Sequence, residues 1–66
     1  MRQVHKTADY QVMEIRPGRW QILHARDGGT AATIARAGHS DKAREYVIKK
    51  CDRMQADNDL KRELNK

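Results

Sequence analysis

The stretch YQVMEIRPGRWQILHAR, residues 10–26, constrains the fold of this chain more than any other. Its centre is Pro17-Gly18, which contains the only proline in the chain. Proline supplies the φ that the second position of a tight turn requires, and glycine accepts the positive φ that the third position of a type II turn requires. The runs YQVMEIR and RWQILHAR on either side have a period near two, the signature of strands with one buried side. A β-hairpin is therefore expected. A type II turn does not match the twist of paired strands, so a bulge or a longer loop beside Pro17-Gly18 is expected too. Alternation sends Tyr10 and Val12 to one face and Met13 and Ile15 to the other. In the following strand it separates Trp20 and Ile22 from Gln21, Leu23 and Ala25.

The rest of the chain extends this hairpin. Asp27-Gly28-Gly29 is a second turn, and TAATIARA after it reads as a third strand, tipped from the helical alternative by Thr30, Thr33 and Ile34. Gly38-His39-Ser40 interrupts the pattern. Ser40 is a candidate helix N-cap, followed by Asp41 where a carboxylate suits the positive end of the helix dipole. Beyond it Ala43, Tyr46, Val47, Cys51 and Met54 recur at spacings of three and four, one face of a helix, with Ile48 off the stripe. Residues 1–8 show no periodicity and read as a flexible basic arm, residues 9–56 as the domain, and residues 57–66 as a helix extension or a frayed tail. The expected fold is α+β: a three-stranded antiparallel meander packed against one C-terminal helix, β-β-β-α. One helix covers one face of a sheet. The other face meets solvent, a second subunit or a ligand broad enough to cover it.

At 66 residues the chain is one small domain with a marginal core. Its single cysteine, Cys51, excludes an internal disulfide. Cys51 falls on the apolar helix face, so a buried small hydrophobe is expected there and not a nucleophile. His5, His24 and His39 lack the spacing of a metal site, and RDGG lacks the lysine of a phosphate loop, so neither a metal nor a cofactor is expected. No carboxylate pair marks a cleft, and the chain is read as non-enzymatic. The amino terminus lacks a signal peptide's apolar block and no run is long enough to span a membrane, so a cytoplasmic protein is expected. The net charge is +5. Such a balance favours anionic partners. Residues 1–40 carry six Lys and Arg against three acids, and the four mid-chain cations among them are all arginine: Arg16, Arg19, Arg26 and Arg36. Residues 41–66 interleave eight cations with six acids, as a solvated helix does.

Read from Tyr10, the order Arg16-Pro17, Gly18-Arg19-Trp20, Arg26-Asp27 and Ala43-Arg44-Glu45-Tyr46 resembles the AP2-type DNA-binding domain. It is similar as well to the amino-terminal arm-binding domains of phage integrases. The resemblance covers roughly residues 10–50. It implies a three-stranded sheet laid on DNA and backed by a helix. Arg16, Arg19 and Arg26 match basic residues that reach DNA in that family, Arg36 stands on the third strand where a contact is common, and Trp20 matches a tryptophan packed under the helix. The chain departs from the family at Glu14, which replaces a first-strand arginine and would repel phosphates if it faced them. It also lacks the aromatic between Pro17 and Gly18, and Leu23 replaces a polar reader.

The expectation is a small nucleic-acid-binding protein, for duplex DNA in particular, that uses the sheet face opposite its helix. Arg16, Arg19, Arg26 and Arg36 would supply contacts, Gln21 would read bases, and Arg2 and Lys6 would add phosphate attraction. The alternative is a protein-binding module, such as a phage or mobile-element factor that inhibits or redirects an acidic host protein. A homodimer is open to either reading.

Overall fold

The computed structural model describes residues 1–35 and 41–65. It contains β1 (Arg2–Lys6), β2 (Tyr10–Arg16), β3 (Arg19–His24), β4 (Thr30–Ala35) and α1 (Asp41–Leu64). The strands form one antiparallel sheet in the order β1-β2-β3-β4. The architecture is α+β with one C-terminal helix, as expected, but the sheet has four strands and not three. The additional strand comes from the segment read as an arm. Its register on β2 shifts between Gln3 and His5, which takes Val4 out of the alternation. Val4 is the only aliphatic residue of RQVHK, so the bulge hides the period of two that would have announced a strand.

The hairpin forms as its turn residues dictate. Arg16 pairs with Arg19 across Pro17-Gly18, and Gly18 has φ 86°, the left-handed value that a type II turn requires at this position. The register slips between Glu14 and Arg16, placing a bulge beside the turn. At the next turn the His24 N–H donates to the Gly29 carbonyl (2.7 Å) and the Gly28 N–H to the His24 carbonyl (2.8 Å). The Asp27 carboxylate accepts from the Gly29 N–H at 2.8 Å, and Gly28 has φ 76°. The strand reading of TAATIA is correct over Thr30–Ala35. Arg36, the Gly38-His39-Ser40 break and the Ser40 cap lie outside the described residues.

Tyr10, Val12, Trp20 and Ile22 line the helix-facing side of the sheet and are buried against Ala43, Val47 and Cys51. Val4, Ala31, Ala32, Ile34 and Met54 rim this core. Its two halves are the faces that alternation assigned. Trp20 is only 2% exposed, as a core tryptophan. Tyr46 departs from the expected stripe: it is 46% exposed on the helix flank, and half-buried Asn58 continues the line of Ala43, Val47, Cys51 and Met54 instead. Arg44 lies near Glu14 and Asn58 meets Tyr10, so α1 runs antiparallel to β2. The helix is 24 residues long, about 36 Å at 1.5 Å per residue, and overruns the strands it covers. Leu60 and Leu64 are correspondingly exposed.

Candidate nucleic-acid interface

Directly paired residues of antiparallel strands share a face, so the register reads out the side that α1 does not cover. Three rows cross it. Lys6, Gln11, Leu23 and Thr30 form the first; Gln3, Met13, Gln21 and Thr33 the second; Arg16, Arg19 and Ala35 the third. The cations and threonines are exposed, whereas Gln11, Met13, Gln21 and Leu23 are half-buried by their neighbours. These rows hold three cations, three glutamines and no carboxylate. All nine acidic residues of the chain are elsewhere. Six are on α1, Asp27 is in the β3–β4 turn, and Asp9 and Glu14 turn to the helix side.

Glu14 shows how the segregation is built. It pairs in register with buried Trp20, which places it on the helix side. There its carboxylate meets Arg2 at 3.3 Å and Arg44 at 3.8 Å. The carboxylate that would repel phosphates if it faced them therefore leaves the open face free of its charge. Arg2 is engaged in the same ion pair, so of the two N-terminal cations only Lys6 joins the rows.

Arg16, Arg19 and Gln21 are brought together: the two arginines are opposite each other at the hairpin end, and Gln21 is two positions along β3. Arg26 is not with them. It follows β3 and lines a concavity with Asp9, His24, Asn58 and Arg62 near the far end of the helix. A seven-residue β2 puts about 20 Å between the two ends. Arg36 lies outside the described residues. Sequence reasoning missed Gln3 and Gln11, and it placed Lys6 on a loose arm rather than on the sheet. Their shared face is visible only once β1 is known to pair with β2.

A second polar cluster ties the helix to the β1–β2 turn. The Gln55 amide oxygen accepts from the Asp9 N–H (2.7 Å) and the Thr7 hydroxyl (2.8 Å), and its amide nitrogen donates to the Asp9 carboxylate (2.7 Å) and to Asp59 (3.0 Å). Arg62 forms an ion pair with Asp9, and Asn58 donates to the Tyr10 hydroxyl at 2.8 Å. His5 meets Asp52 at 2.7 Å. The Arg62 guanidinium, with Gln55 assisting, holds the Asp9 carboxyl below its ordinary value of 3.8. A carboxyl depressed in the folded state stabilises the fold above its unfolded pKa, and that contribution is lost as pH falls through the folded value. The melting temperature should therefore drop below about pH 4, and Asp9→Asn should flatten part of that drop in circular-dichroism melts across the acid range. Equal slopes for the two proteins would refute the assignment.

Burial raises the Cys51 thiol above its ordinary value and keeps it protonated, so it packs as a small apolar group. Among the described residues, no three His, Cys, Asp or Glu side chains gather as metal ligands. No helix among them is long and apolar enough to cross a membrane. Compared with known protein families, curated proteins and solved structures, the chain matches none of them.

Proposed function

We propose that the protein binds nucleic acid, duplex DNA in particular, through the open face of its sheet. The observation that carries this reading is the clearing of all nine carboxylates from a face that keeps Lys6, Arg16 and Arg19 among three glutamines and two threonines. Guanidinium and ammonium groups neutralise phosphates. Glutamine and threonine side chains, which donate and accept hydrogen bonds without net charge, suit base edges. Arg16 and Arg19 act as the phosphate pair and Gln21 as the central reader, with Gln3 and Gln11 beside it. Arg26, at the other end of the molecule, takes no part in this surface.

Fluorescence anisotropy with a labelled duplex tests the reading. Affinity should fall linearly in a log–log plot against salt, and Arg16→Gln with Arg19→Gln should lower the slope by about 1.8, close to 0.9 for each phosphate left without its cation. Absence of binding at low salt defeats the proposal.

One observation supports a different partner. Met13 and Leu23 are diagonal neighbours at the centre of the same face, both half-buried, and apolar groups so placed suit a protein surface. On this second reading the chain is a protein-binding module. Capture of a partner that persists after nuclease treatment and disappears in Met13→Ser with Leu23→Ser would establish it.

A further inference from the structure

The two edges of the sheet are chemically unlike. β1 presents Arg2, His5 and Lys6, charged or titratable groups of the kind that block edge-to-edge pairing. β4 reads TAATIA, with no charge, no proline and no glycine. Among the described residues, nothing pairs with its outer backbone N–H and C=O groups. An edge with these properties is a template for another strand.

We propose that β4 is a self-pairing edge: a second copy of the chain adds its β4 antiparallel across a two-fold axis, joining two four-stranded sheets into one of eight. The neutral side chains of TAATIA meet their own copies without repulsion, whereas pairing through β1 would oppose cations to cations. On the helix side, half-buried Ala32 and Ile34 continue into the same residues of the partner, extending a core that holds seven buried residues among those described. On the open side, eight strands about 4.8 Å apart span about 34 Å, close to one turn of duplex DNA. That last correspondence rests on the nucleic-acid reading; the pairing itself does not.

Size-exclusion chromatography with light scattering, run without nucleic acid, separates the two questions. The chain should show twice its 7.6 kDa at high concentration and dissociate on dilution. Thr33→Lys, an exposed position in the middle of β4, sets two ammonium groups near the two-fold axis and should give the monomer mass with an unchanged circular-dichroism spectrum. Ala35→Lys, exposed at the end of the strand, provides the same reading if Thr33→Lys does not fold. Gln3→Lys on β1 should leave the dimer intact. A monomer mass throughout the wild-type series, or a dimer undiminished in the folded β4 variant, overturns the proposal.

Discussion

Trp20→Ala is expected to remove at least about a third of the stability of the fold, and up to all of it. Trp20 is the largest of the fully enclosed side chains and lies between Glu14 and Ile34 in the sheet register, under the N-terminal half of α1. Among the described residues only six others are buried with it, a core too small to collapse into the space. Replacing a core tryptophan by alanine costs about 3–5 kcal/mol. A chain of 66 residues has a total stability on the order of 3–10 kcal/mol at ordinary per-residue values. The substitution therefore removes a third of the stability at best and all of it at worst. Urea titration followed by circular dichroism should show the midpoint reduced by at least a third or the transition gone. Trp20→Phe should remain folded. It keeps most of the apolar volume and removes the indole N–H, which is buried with no acceptor among the described residues. A wild-type midpoint for Trp20→Ala would show that the sheet is not held by this side chain.

The parts of this fold that are legible in the sequence are those where local chemistry and tertiary packing agree. Pro17-Gly18 encodes a turn by its dihedrals alone, and the flanking strands alternate, so the hairpin, its bulge and its buried face all follow from residues 10–26. The Asp27-Gly28-Gly29 turn is legible for the same reason. β1 is not, because Val4 sits in a bulge and every other residue of RQVHK is polar. Its stabilisation comes from backbone pairing with β2 and from polar contacts such as His5 to Asp52, which leave no hydrophobic period. The helix stripe is legible to Met54, then continues through Asn58, whose side chain serves the Tyr10 hydroxyl rather than apolar packing. Arg16 joins Arg19 and Gln21 only through the slip between Glu14 and Arg16, since strict alternation puts it with Tyr10 and Val12. Arg19 and Gln21 can be placed on one surface from sequence, by alternation against Trp20. Arg26 cannot. Strand β3 stops at His24, and the chain then turns away from the face, so periodicity no longer applies to it.

Gln21→Glu supplies the sharpest test of where the ligand sits, because it changes one atom type at the centre of the face that excludes carboxylates. Gln21 pairs with Met13 on one side and Thr33 on the other, and glutamate has nearly the same shape, so the fold should be left within about 0.5 kcal/mol of wild type. A phosphate surface docked there would meet a like charge, which costs several kcal/mol. Affinity should drop by at least about tenfold, the equivalent of 1.4 kcal/mol. The informative control is Lys50→Glu, exposed on α1. It shifts the net charge by two units, against one for Gln21→Glu, so attraction governed by total charge alone would make it the more harmful change. Contact through the sheet reverses that order: the smaller change in charge has the larger effect, because it is made where the phosphates lie. Anisotropy titrations of both variants at one salt concentration decide the matter, and a weaker effect for Gln21→Glu than for Lys50→Glu would move the binding surface from the sheet to the helix.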